Sequence, residues 1–269
     1  MKPKAGLFEF GVLGLALFLI LIASAELISG LYGWDALASD LTMDHFPAGP
    51  SAQHWMGTDD RGRDVLMRIL FGARYSLGFA LIVWFLSYSL GIFIGATMGY
   101  IGGVFDLLTQ RFIEVFETIP FLYLAMLLLS GLGRSLEVLV FVNVLSGWMM
   151  ISVFMRAQVM KEKQSLVVES IKALGASPLR ILFCHVFPLS TLPVLVFSPL
   201  ALASYMTTLV QLDFLGLGLQ PPTPSWGELL NQALSHFPEA WWLLVFPLLA
   251  LLGALLSFQA ISAGLKGQS

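Results

Sequence analysis

Hydrophobic positions in this chain fall into six long runs separated by short polar stretches. They cover about Leu7–Ile28, Arg74–Gly99, Phe112–Leu132, Leu136–Phe154, Leu189–Leu212 and Trp241–Ala263. Each run is near the roughly 20 residues that an α-helix needs to cross a bilayer. The pattern predicts six transmembrane helices. The second run is long enough to tilt, and only the sequence GLGR separates the third from the fourth.

Composition supports that reading. Of 269 residues, 57% are hydrophobic and 12% charged, against about 45–50% and about 25% in soluble domains. Apolar runs recur from end to end, which excludes a signal peptide ahead of a soluble domain. The single cysteine, Cys184, leaves no partner for an intramolecular disulfide. There is no phosphate-loop pattern and no soluble nucleotide-binding domain. Energy for any transport must therefore come from a gradient or from another chain.

The lysines predict orientation. Lys2 and Lys4 stand at the N-terminus, Lys161, Lys163 and Lys172 in the loop after the fourth run, and Lys266 at the C-terminus. Six spans put all three regions on one side, which the positive-inside rule makes cytoplasmic. The first outer loop holds Arg61, Arg63, Arg68 and Arg74, but shares them with six aspartates.

The cytoplasmic stretch Val167–Pro188 interrupts the apolar pattern. Val167, Ile171 and Leu174 define one helix face, and Glu169 can pair with Lys172 on the other. Gly175 suits the left-handed position that ends a helix. Ser177 and Pro178 then predict a new helix start leading into the fifth span. A short helix held between two spans is well placed to take force from a soluble partner.

The segment ESIKALGASPLRILFCHVFP resembles the cytoplasmic "EAA" loop of ABC importer permeases, with Glu169, Gly175 and Pro188 at its glutamate, glycine and proline positions. Ser170 and Ile171 replace the two alanines, and Phe187 replaces the leucine. MGTDDRGRDVLMRILFGARYSL from Met56, GYIGGVFDLLTQRFIEVFETIP from Gly99 and FLGLGLQPPTPSWGELL from Phe214 resemble further blocks of dipeptide, oligopeptide and nickel permeases. The likeness is greatest to the C-type subunit of the peptide and microcin-C kind.

That resemblance implies an all-α polytopic protein of the type I ABC importer permease fold. It implies residues 1–33 as N-terminal region and first span, 34–73 as an outer loop with an amphipathic helix, and 74–269 as a core of five spans, with the coupling loop at about 160–187. It implies that Glu169, Ser170, Lys172, Ala173 and Gly175 meet an ATPase. The implied partners are a second permease, two cytoplasmic ATPase subunits or domains, an outer solute-binding protein and the lipid membrane, with no nucleic acid. ATP and magnesium would be bound by the ATPases, leaving this chain without cofactor or catalytic residue. The expected location is the bacterial inner membrane, with both termini cytoplasmic and peptides or peptide-like compounds as cargo. Nickel or another small solute is the alternative cargo. A self-contained secondary transporter using Glu117 is the alternative class.

Other segments carry their own expectations. Thr58–Gly72 reads as an amphipathic helix capped by Thr58, with Asp64 and Arg68 paired four apart. Ser87, Gly91, Gly95 and Gly99 put small residues on one helix face, as close helix packing in lipid requires. Arg111 and Glu114 can neutralise one another, which leaves Glu117 about one to two turns inside the third span, before a bend at Pro120. Glu114 and Glu117, with Ser204 and Thr208 in the fifth span, are candidates for a translocation path. Thr207 and Gln211 share the Ser204 face. Ser225 and Glu228 predict a capping box, and Trp226 an interfacial anchor at the outer mouth. His45, His54, His185 and His236 have no metal-site spacing, so no metal site is expected.

Overall fold

The computed structural model describes residues 5–33, 35–39 and 46–266. His45, Lys2 and Lys4 lie outside the described residues. The described chain is helical apart from turns, loops and one isolated bridge between Thr58 and Asp64. Its helices are α1 (Ala5–Tyr32), α2 (Val65–Ile101), α3 (Gly103–Glu117), α4 (Phe121–Leu132), α5 (Leu136–Lys163), α6 (Leu166–Ala173), α7 (Pro178–Ile181), α8 (Phe187–Leu195), α9 (Ser198–Phe214), α10 (Trp226–His236) and α11 (Trp242–Lys266). A π-helical turn, Leu182–Val186, joins α7 to α8.

Five helical stretches among the described residues are long and apolar enough to cross a membrane. The number rises to six when the bent pair α3–α4 is taken as one span. That pair turns through 82° at Thr118–Pro120, because Pro120 supplies no N–H to continue the ladder. The fifth apolar run is broken too. Helix α8 ends at Leu195 and α9 begins at Ser198, with Pro199 in its first turn.

The outer-loop expectation changes most. Thr58–Asp64 forms a compact loop rather than a helix, and the helix starts at Val65 and continues without a break through the second span. At 37 residues, α2 is about 55 Å long, well beyond the roughly 30 Å hydrocarbon core. The loop wins locally because the Asp59 carboxylate accepts the Arg61 and Arg63 amides at 3.0 and 2.9 Å. Asp side chains often bond backbone in this way and so compete with helix formation. Asp64, not Thr58, caps the helix, accepting the Met67 amide at 2.8 Å.

The chain divides into two compact units. The first comprises Met1–Leu81, Leu132–Leu139 and Pro199–Ser269. Its core joins Val65, Ile69, Met206, Trp226, Leu229 and Leu243 in one buried cluster, and α1 packs along α11. The second comprises Ile82–Gly131 and Val140–Ser198. There the small-residue face of α2 lies against α5. A Cβ on Gly95 would collide with the Ser152 carbonyl oxygen, so only glycine permits this approach. An ion pair from Arg156 on α5 to Asp106 on α3, at 2.5 and 2.7 Å, ties these two helices together within the unit.

Candidate functional site

The Val167–Pro188 region folds as two short helices, α6 and α7, joined by a turn at Gly175 and followed by the π-helical turn into α8. Ser165 caps α6 by accepting the Val168 amide at 3.4 Å. Gly175 then turns the chain at φ 84°, and its amide bonds the Lys172 carbonyl at 3.0 Å. Ser177 caps α7, accepting the Arg180 amide at 3.4 Å, with Pro178 opening the helix.

Only Val168 of α6 is buried. Glu169, Ser170, Lys172 and Ala173 are all exposed, as are Val167 and Leu174. The apolar face of Val167, Ile171 and Leu174 is thus largely open. Glu169 and Lys172 make no ion pair with one another, in contrast to the expectation; Glu169 instead sits in the first turn and Lys172 in the last, each matching the helix dipole. The base of the loop is tied to α2 and α5 through Tyr100. Its hydroxyl donates to the Pro178 carbonyl at 3.1 Å, and its carbonyl accepts from Lys163 Nζ at 2.7 Å.

The first unit holds a buried polar cluster. Arg63 Nε donates to Asp59 at 2.6 Å, and its Nη2 to Glu228 at 3.1 Å. Arg68 pairs with the same Glu228, lies 3.3 Å from Asp59, and donates to the Ala36 carbonyl at 2.8 Å. Asp59, Arg63 and Arg68 are almost wholly inaccessible. Two acids and two bases, three from one stretch and Glu228 from far along the chain, therefore neutralise one another. The expected Asp64–Arg68 pair does not form, since Asp64 faces His54 at 2.8 Å.

Burial pushes the Asp64 carboxyl up despite the Met67 amide and His54, which oppose the shift. Burial and the neighbouring Asp59 charge raise Asp60 as well. Burial alone would lower the Arg63 guanidinium, but the Asp59 and Glu228 carboxylates outweigh it and hold it above its ordinary value.

Two expectations for the last outer loop are corrected. Ser225 caps α10 by accepting the Gly227 and Glu228 amides, but the Glu228 side chain turns to the arginines and closes no capping box. Trp226 is fully buried rather than an interfacial anchor. Its indole N–H donates to the Ile69 carbonyl at 2.9 Å. Ser225 also donates to Asp213, which binds the Leu219 amide at 2.6 Å. No group of histidine, cysteine or acidic side chains among the described residues could hold a metal ion.

The candidate path residues separate into two sets. Glu114 pairs with Arg111 at 2.6 Å on an exposed face of α3. Glu117 is the last residue of α3, exposed at the elbow. It lies almost four turns into the helix, because α3 begins at Gly103, nine residues before the expected start. Ser204 and Thr208 belong to α9 and line a cleft of about 390 Å³ together with Thr207, Gln211 and Gln259. Gln259 escapes a sequence reading because its neighbours on α9 lie about 50 residues away in the sequence and no spacing links them.

Several long apolar helices, two of the apolar runs broken, with a short exposed helix between α5 and α7, mark a multi-pass helical membrane protein. Within that class the chain belongs to the family described as the binding-protein-dependent transport system inner membrane component, which matches residues 91–265. It is 41% identical over 196 residues to the inner membrane ABC transporter permease protein YejE of Escherichia coli K12, covering 73% of this chain and 58% of that protein. It is 36% identical over 188 residues to the peptidoglycan transport system permease protein YejE of Agrobacterium fabrum C58, covering 70% and 49%. Against the glutathione transport system permease protein GsiD of Escherichia coli O1:K1, identity is 31% over 251 residues, covering 93% and 83%. The chain thus spans about half the length of the two YejE relatives it matches.

Proposed function

We propose that this chain is the membrane-spanning permease subunit of an ATP-driven importer for peptides or peptide-like compounds. The observation that carries the reading is α6: a capped helix with an open apolar face, closed by Gly175 and held to two spans through Tyr100. A surface of that kind suits a soluble partner that pushes on the membrane part. Two ATPase subunits or domains would seat there and supply ATP and magnesium. A second, homologous permease would complete the path, and an outer solute-binding protein would deliver cargo. Glu169, Ser170, Lys172, Ala173 and Gly175 form the contact, and catalysis belongs to the partners.

The relatives support the cargo class. One bears a glutathione and another a peptidoglycan transport name, and both compounds contain peptide linkages. These names favour peptide-like cargo over nickel or another small solute. In this reading the protein sits in the inner membrane with both termini cytoplasmic, residues 74–269 form the permease core, and Glu114 and Glu117 face the path.

The test is uptake into proteoliposomes by the chain assembled with its partner permease, ATPases and binding protein. Peptide uptake that requires internal ATP supports the reading. Uptake by this chain alone, driven by an ion gradient, would identify a secondary transporter instead.

A further inference from the structure

The cleft between α9 and α11 has a lining of uncharged polar and apolar side chains. Ser204, Thr207, Thr208 and Gln211 follow one another at short helical spacings, so they share one side of α9. Gln259 on α11 joins them, and three apolar residues complete the wall. No charged side chain among the described residues lines it. From Leu200 to Gln211 the cleft runs about 16 Å by helical rise, the length of roughly five extended residues.

The hydrogen-bond state of this lining is specific. Thr207 donates its hydroxyl proton to the Ala203 carbonyl at 2.9 Å, and Thr208 donates to the Ser204 carbonyl at 3.0 Å. Both hydroxyls therefore meet the cleft as acceptors. Gln211 and Gln259 are exposed, and their carboxamides have no hydrogen-bond partner among the described residues. Each offers a donor and an acceptor. Unmatched carboxamides in apolar spans are costly against lipid, so this face must meet water, protein or cargo.

We infer that this cleft binds the main-chain amides of an extended peptide in transit. It reads N–H and C=O groups and leaves side-chain charge unread. An extended main chain has both groups free to pair with the acceptors and carboxamides of the wall. A helix of a neighbouring subunit has already spent them internally. The inference rests on the importer reading above and adds to it a binding surface and a recognition chemistry.

The experiment uses the assembled importer in proteoliposomes, with Gln211→Leu and Gln259→Leu made singly and together. Matched pentapeptides carry a cationic, neutral or anionic central side chain, and a fourth has its central amides N-methylated. Uptake per ATP hydrolysed should fall roughly five-fold for each lost carboxamide, equally for the three charge types. Assembly and stimulation of ATP hydrolysis by the binding protein should persist, and the N-methylated peptide should be much less sensitive to the substitutions. Gln259→Asn should recover part of the loss. Unchanged uptake, or a loss that depends on cargo charge, overturns the inference. Loss of assembly overturns it too, and makes the cleft a permease–permease contact. If the unaltered importer takes up no peptide, the cargo reading itself fails.

Discussion

At the scale of single residues, two positions carry distinct energies. Gly175 has φ 84°, and the space where a Cβ would stand is open, with no atom within 4 Å. Substitution there meets backbone strain and no clash. The left-handed region costs an ordinary residue about 1–2 kcal/mol, and β-branching adds to it. Gly175→Asn should therefore be mildest, Gly175→Ala intermediate and Gly175→Val worst for ATPase association at equal permease abundance. Equal binding by all three variants would contradict a role for this turn. Arg68 is the second case. Removing it alone leaves Asp59 and Glu228 facing only Arg63. Breaking a buried pair from one side costs about 3–5 kcal/mol. Arg68→Met should lower the thermal midpoint in detergent strongly. Adding Glu228→Leu should recover part of the loss, because Asp59 and Arg63 remain as a neutral pair. A double variant weaker than Arg68→Met by the full single-variant cost of Glu228→Leu would rule out the coupling.

At the scale of elements, local signals are legible in the sequence and distant ones are not. The Ser165–Gly175–Ser177 punctuation sets its own backbone, so the turn and the Ser177 start can be read from neighbouring residues. Pro120 likewise marks the elbow. The outer loop misleads because Asp64 and Arg68, four apart, offer a plausible helical pair, while the true partners His54 and Glu228 are not implied by spacing. Trp226 misleads in the same way, since a tryptophan beside a span suits an interface as well as a core. The small-residue face of α2 is legible because its period is helical, and it yields a prediction. Gly95→Ala puts a methyl group against the Ser152 carbonyl, an atom of helix backbone that cannot step aside. It should reduce the yield of monodisperse protein, and Gly95→Leu should abolish it. Gly78→Ala, with nothing within 4 Å, is the control and should behave as wild type. Normal yield from Gly95→Leu would mean that α2 and α5 do not approach in this way.

At the scale of the whole molecule, the six apolar runs correspond to five helices long and apolar enough to cross a membrane among the described residues, or six with the bent pair α3–α4, and family membership sets the class of protein. The division into two units is not visible in the sequence, because α2 and α5 each contribute to both. Orientation can be measured directly. After the exposed native Cys184 is replaced by serine, a cysteine at exposed Lys163 should label only from the cytoplasm. One at exposed Ser235 should label only from outside. Labelling of both from one side would mean an even number of crossings between them. Whether α6 receives the ATPase decides the importer reading. Site-specific crosslinking from Glu169→Cys, in intact membranes containing the assembled importer, asks this without intermediaries. A crosslink to the ATPase is expected, changing in yield between ATP-bound and nucleotide-free states. Crosslinks to lipid or to the outer binding protein, with none to an ATPase in either state, would refute that role for α6.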